Sequence, residues 1–352
     1  MSEITDAREL TDFGRTDVEN EMQEVMDAVL KEPQIPTMGK KLIVEGSTPG
    51  HFPGCLWEHF GIKDAPPHSI EEQAVAIIEC VKAGAAAIHS HPRDPEDKYR
   101  YVTHSGKGES SELMVEILDK VYKAVDFVPL NHAFYPKDWQ DLAEPDFITP
   151  VQELLDMGKG NKYIQGSIVI AEPGPNTRKG LLSAWFTVDG IRKGIAFLEE
   201  NHIKPLIALP VTKLTWFKNN VIDAGVFKTA PHINIQEAKH GVNNIFADPM
   251  SHITIVNSIE MVKKLVPDCT IGLHVAGRNW LPMTVLGIML GVDLVRIGLE
   301  DQFWTYPHKD DFVRKASEHV EKVVQIAKAL GRDIATPDEA RKIMGIKATS
   351  GR

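Results

Sequence analysis

Short apolar runs alternate with amphipathic stretches about eight times along this chain, and no other feature limits its fold as strongly. The first unit is explicit. Lys41-Leu42-Ile43-Val44-Glu45-Gly46 reads as a buried strand. Pro66-Pro67 then precede Ser69, and Glu72 lies three residues further on, the signature of a capping box. Ala74, Ile77, Ile78 and Val81 recur at helical spacing, and Gly84 ends the helix. Ala85-Ala86-Ala87-Ile88 follows as a second strand. Further strands are expected over 127–131, 163–170, 206–211, 232–236, 271–275 and 294–299. Helices are expected over 112–124, 188–201, 214–224, 252–266 and 282–290, then a long one over 310–330. Thr336-Pro337-Asp338-Glu339 caps a last short helix.

Such a series predicts an α/β fold, a (β/α)8 TIM barrel of parallel strands. A doubly wound open sheet is the other candidate, but no glycine fingerprint follows the first strand. The expected organisation is an N-terminal helical extension over 1–40, a catalytic barrel over 41–346 and a tail over 347–352. The extension carries a helix over 17–31, placed to cap a domain end or clasp a second subunit, so a homo-oligomer is expected. Long loops at 47–68, 93–109 and 132–162 follow strands and would gather at the C-terminal barrel face, where active sites lie.

Composition narrows the partners. With 352 residues the chain can bury a substantial core. A net charge of −10 without a concentrated basic patch argues against nucleic acid. No apolar run approaches the ~18 residues of a membrane span. Acids come too early at the N-terminus for a signal peptide. Cys55, Cys80 and Cys269 form no metal-type or disulfide-type spacing, so reduced thiols and a cytoplasmic location are expected, with Cys80 in the core.

The second strand runs into Ile88-His89-Ser90-His91-Pro92-Arg93-Asp94. Strand alternation would put His89, His91 and Arg93 on one face. Two imidazoles so spaced at a strand end can hold one divalent metal; alone, they are also ordinary polar strand residues. In the last strand, Val295, Ile297 and Leu299 alternate with Arg296, Gly298 and Glu300, so the second set should face the barrel interior. In a closed barrel the eighth strand pairs with the first, which neighbours the second. Glu300 can therefore approach His89 and His91. Two histidines and a carboxylate make a catalytic metal site, with one zinc ion per chain expected.

A Glu-Asp pair after a strand is by itself more often a helix cap, and the joint placement favours the site. Arg296, if buried, needs a carboxylate partner or an anionic substrate. Asp301 is a general base, an acceptor for a histidine N–H, or a helix cap. Glu45 interrupts Leu42-Ile43-Val44 and faces the interior, as does His274 between Leu273 and Val275. Each contacts substrate or completes a buried polar network. His232, Asn234 and Gln236 should line the same interior.

At these residues the chain resembles the β-keto acid cleavage enzymes, whose founding activity is 3-keto-5-aminohexanoate cleavage. The matching elements are Gly84-Ala85 leading into His89-Ser90-His91-Pro92-Arg93-Asp94, then Gly277-Arg278 with Pro282, and Val295-Arg296-Ile297-Gly298-Leu299-Glu300-Asp301. Gly331-Arg332 and Ala335-Thr336-Pro337-Asp338-Glu339-Ala340-Arg341 complete the match, which spans about 41–346. The resemblance implies a zinc-dependent barrel with His89, His91 and Glu300 as ligands and Arg296 and Asp301 as catalytic residues. It implies that a small-molecule β-keto acid and acetyl-CoA give acetoacetate and a new acyl-CoA. Asp301 would form the acetyl-CoA enolate and Arg296 would stabilise oxyanion charge.

Three loops depart from the family pattern. Gly46-Ser47-Thr48 stands where the family has an acid, and Glu45 is assigned to the catalytic set in its place. Leu130-Asn131-His132 stands at a Ser/Thr-Gly-Gly turn, which puts Asn131 in the same set. Gln236-Glu237-Ala238 replaces a glycine-rich loop. The competing functions are a metal-dependent hydrolase or lyase acting on a small anionic substrate without CoA, and a non-catalytic protein with a structural metal.

Overall fold

The computed structural model describes residues 7–33, 35–49, 57–59, 61–62, 66–96, 109–130, 148–160, 167–169, 188–209, 213–237 and 251–346. The chain divides into two compact units, residues 1–36 and 37–352. Helix α1 (Ala7–Leu30) belongs to the first. It begins ten residues before the expected 17–31 segment and stops ahead of Glu32-Pro33, where proline disfavours a preceding helical residue. Met22, Val25, Met26 and Val29 form a stripe on it, each more than half exposed.

The second unit contains β1 (Ile43–Ser47), α2 (Ile70–Lys82), β2 (Ala87–His89), α3 (Glu109–Val121) and β3 (Val128–Pro129). Next come α4 (Thr149–Asp156), β4 (Ser167–Val169), α5 (Val188–Glu200) and β5 (Leu206–Leu209). Then follow α6 (Leu214–Phe217), β6 (His232–Glu237), α7 (Ser251–Leu265) and β7 (Thr270–Val275). The series ends with α8 (Trp280–Met289), β8 (Leu294–Gly298), α9 (Ala316–Ala329) and α10 (Pro337–Met344). The eight strands pair in parallel in the order β3-β2-β1-β8-β7-β6-β5-β4. β1 thus pairs with both β2 and β8, which is barrel order and not that of a doubly wound sheet. The fold is a (β/α)8 TIM barrel with an N-terminal helical extension.

Strand alternation sorts the side chains into two cores. Val44, Ile88, Ile207, Leu209, Val295 and Ile297 point outward into a cluster shared with the helices. Ile43, Ala87, Leu206, Ala208 and Leu294 point inward near the strand starts, packed with Ala340 and Met344 of α10. That helix closes the N-terminal end of the barrel. Leu42 bridges to Ile334, and Arg341 forks onto both Asp126 oxygens at 2.8 and 2.9 Å. The apolar inward set stops there. Further along the strands the interior turns polar, with Glu45, His89, Asn234, Gln236, His274 and Arg296 all buried, and His232, level with Leu206 at the start of β6, joins them.

Several expectations are corrected. β2 ends at His89, so His91 and Arg93 lie past the strand and the shared strand face does not extend to them. Pro92 has no N–H to continue the ladder. β8 ends at Gly298, where φ is +146° and a Cβ would sit 2.0 Å from the Ser47 carbonyl oxygen. The chain turns there, and Glu300 and Asp301 occupy the turn instead of a strand top or a helix cap, since the next helix begins at Ala316. A Trp304–Phe312 bridge occupies the first residues of the expected 310–330 helix. α6 gives way to a π-helical turn over Lys218–Ile222. α4 falls in sequence read as irregular, although Pro150 in its first turn is a start signal. Asn131, Cys55 and residues 163–166, 170 and 210–211 lie outside the described residues. Among the described residues, no helix is long and apolar enough to cross a membrane.

Candidate metal centre

The carboxylate and both imidazoles meet. One ligand atom each from His89, His91 and Glu300 lies within 4.8 Å of the others, and all three residues are buried. His89 Nε2 is 2.9 Å from Glu300 Oε2, and His91 Nε2 is 3.5 Å from Glu300 Oε1. The two rings stand edge to face with centroids 4.8 Å apart. Register explains the meeting. Ser47 on β1 is level with His89 on β2 and with Gly298 on β8, so the chain leaving β8 reaches the end of β2 in one turn.

The tautomer of His89 decides what this arrangement demands. His89 Nδ1 lies 3.0 Å from the Leu130 carbonyl oxygen. A carbonyl only accepts, so Nδ1 carries the proton. Burial, reinforced by the Arg296 charge, lowers the pKa of His89 and keeps the ring neutral, although Glu300 pulls the other way. Burial opposes ionisation of Glu300, but His89, Arg296 and His91 outweigh it and hold the carboxyl well below its usual range. With His89 neutral, Arg296 supplies the fixed positive charge in that set. A neutral Nε2 lone pair therefore faces an ionised oxygen across a hydrogen-bond distance. That contact is repulsive unless a cation joins them, and two imidazoles with a carboxylate are a zinc donor set. The residues fit a divalent metal.

Beside this triad lies a second ionic cluster. Arg296 Nε and Nη2 reach Asp301 Oδ2 at 2.9 and 2.8 Å, and Nη2 also lies 3.2 Å from Glu300 Oε1. His274 Nε2 lies 3.0 Å from Asp301 Oδ1. Burial would raise the Asp301 carboxyl, yet Arg296 and His274 hold it far below the carboxylate range. Burial would likewise lower Arg296, but Asp301, Glu300 and Glu45 keep it cationic. Glu45, level with Arg296 on the neighbouring strand, behaves oppositely. Its burial exceeds the pull of Arg296, and its carboxyl is pushed up to about 8.

The site also uses residues to which the sequence reading gave no role. Gln302 accepts from the Gly298 N–H at 2.6 Å and donates to the Val275 carbonyl, bracing the ends of β7 and β8 beneath the Glu300 turn. The Gly277 N–H donates to the Asp301 carbonyl at 3.0 Å. Ser47 Oγ lies 3.4 Å from both Glu300 Oε2 and Asp301 Oδ2. Gln73 of α2 exchanges hydrogen bonds with the Arg93 backbone at 2.7 and 3.1 Å, fixing the segment after His91. The short spacing Gly298-x-x-x-Gln302 was the available signal for the first of these; the others depend on tertiary contacts. Asn131 lies outside the described residues.

Comparison with known proteins follows the same lines. The barrel is similar to that of ObcA. A ternary complex of ObcA with a C4-CoA adduct and oxalate matches with a TM-score of 0.55 at 16% identity, over 80% of this chain and 67% of that one. Its binary complex with oxaloacetate matches at 0.56 and 14%, over 81% and 68%. The 3-keto-5-aminohexanoate cleavage enzyme of Acetoanaerobium sticklandii is 26% identical over 280 residues, 80% of this chain and 91% of that protein. The 3-dehydrocarnitine:acetyl-CoA trimethylamine transferase of Rhizobium meliloti is 25% identical over 294 residues, 78% and 88% of the two. The sequence profile described as beta-keto acid cleavage enzyme matches residues 61–346. With most of the barrel covered by that profile, the chain belongs to the β-keto acid cleavage enzyme family.

Proposed function

We propose that this chain is a zinc-dependent β-keto acid cleavage enzyme that converts a β-keto acid and acetyl-CoA into acetoacetate and a new acyl-CoA. The observation that carries the reading is the meeting of one ligand atom each from His89, His91 and Glu300 within 4.8 Å, with Arg296 and Asp301 alongside. His89, His91 and Glu300 would hold the metal. When bound, zinc supplies a Lewis acid for the keto acid's carbonyl oxygen.

Atom balance assigns the first proton. Acetoacetate requires a bond from C2 of the keto acid to the acetyl carbonyl, so the proton leaves C2 and not the acetyl-CoA methyl. Asp301 takes that proton, and the C2 carbanion attacks the thioester and expels CoA thiolate. The thiolate then attacks the original keto carbonyl. The C–C bond breaks, acyl-CoA leaves, and the acetoacetate carbon recovers the proton from Asp301. Arg296 offsets the negative charge that develops at each addition. As a substrate oxyanion draws on Arg296, the proton affinity of Asp301 rises when the proton must move. Glu45 retains a proton near neutrality and acts as a buried donor to the bound anion. Asn131 stays in the proposed catalytic set on the family resemblance. A homo-oligomer is also proposed, from the exposed apolar stripe of α1, with light scattering as its check.

The test is a metal assay combined with a screen of β-keto acids with and without acetyl-CoA. The expected result is about one divalent ion per chain and acetoacetate formed only when acetyl-CoA is present. His89→Ala with His91→Ala should abolish both. Full metal content in that variant would refute the ligands. Product formed without acetyl-CoA would establish the CoA-free hydrolase or lyase instead, and metal bound without any turnover would favour a structural ion.

A further inference from the structure

We propose that His274 is a positioning residue that clamps the Asp301 carboxylate in place together with Arg296. The assignment deepens the proposed function, because it rests on Asp301 being the base.

Three observations carry it. First, strand register sets His274 on β7 level with Arg296 on β8, while Leu273 and Val275 on either side of His274 turn outward into the helix-facing core. The two cationic or donating side chains are therefore interior neighbours. Second, they divide the carboxylate between them. His274 Nε2 lies 3.0 Å from Oδ1, and Arg296 reaches Oδ2 through Nε at 2.9 Å and Nη2 at 2.8 Å. The Gly277 N–H fixes the backbone of the same residue at 3.0 Å. Third, a buried interior histidine in this barrel is not automatically aimed at the site. His232 on β6 is just as buried, yet among the described residues no carboxylate pairs with its ring, and the charge that acts on it is that of Lys204.

An ionised carboxylate can only accept, so the proton of His274 belongs on Nε2, facing Oδ1 across the 3.0 Å ion-pair contact. With both oxygens and the main chain held, Asp301 keeps one orientation instead of sampling its rotamers. A proton-abstracting group gains most from that restriction, since a displacement of about 1 Å can cost about 10²-fold in rate.

Two measurements test the clamp. The first uses metal-free protein labelled with 15N-histidine, so it is independent of turnover and of the proposed reaction. A strongly downfield Nε2–H should be present, absent in His274→Gln and shifted upfield in Asp301→Asn. If no such signal belongs to His274, or Asp301→Asn leaves it unmoved, the clamp is overturned. The second is kinetic. His274→Leu should lower kcat by about 10²-fold with KM little changed and metal content intact. His274→Gln, which can place an amide donor near the Nε2 position, should restore most of that loss. Unchanged kcat in His274→Leu, or no rescue by glutamine, would also overturn it.

Discussion

Glu45 and Asp301 sit within one ionic cluster and are driven in opposite directions, which shows how local the balance of burial and charge is. Asp301 has two donors on its oxygens and stays ionised, whereas Glu45 is dominated by its own burial and keeps a proton to about 8. The Glu45 shift has a consequence for stability. An unfolded glutamate ionises near 4.5, so between that value and about 8 the folded chain carries the extra proton. Stability should therefore fall as pH rises through this window. Glu45→Gln removes the titration while preserving shape. In metal-free protein its urea-unfolding free energy should decline less than the parent's from pH about 5 to about 8. Parallel pH profiles would reject the raised carboxyl. That Glu45 faces the interior was legible from its place in the strand. Its protonation was not, because it depends on Arg296 lying on another strand.

Elements were legible in proportion to how local their signals are. The capping boxes at Ser69–Glu72 and Thr336–Glu339 are both formed, because each needs a short polar pair and no distant partner. Strand ends were less legible. β2 stops at His89, three residues ahead of Pro92, β8 stops at a positive-φ glycine, and the turn after β8 is held by side-chain hydrogen bonds. Gln302 is the clearest of these. Replacing it with alanine leaves the Gly298 N–H and the Val275 carbonyl buried without their partner, at a cost of about 3 kcal/mol. Denaturant unfolding should register that loss, together with weaker metal retention on dialysis. A change under about 1 kcal/mol would show that the brace is dispensable.

At the scale of the whole molecule, the barrel converts distant sequence into one site. The two described core clusters begin at Leu42 and Ile43, beyond the first compact unit. A chain starting at residue 37 should therefore fold and keep the metal stoichiometry of the full protein, read by circular dichroism melting and metal analysis. Loss of the cooperative transition would count against an independent barrel core. The sequence by itself determined the alternation of strands and helices, the caps, the inward and outward strand faces and the residue types able to bind a metal. All of these follow from periods of a few residues. Only the tertiary structure decided that Glu300 leaves the strand before meeting His89, that Leu130 fixes the His89 tautomer and that His274 takes the second oxygen of Asp301. Each is a contact between separate strands or loops, set by barrel register and by where each strand ends, and a chain's local period carries no record of either.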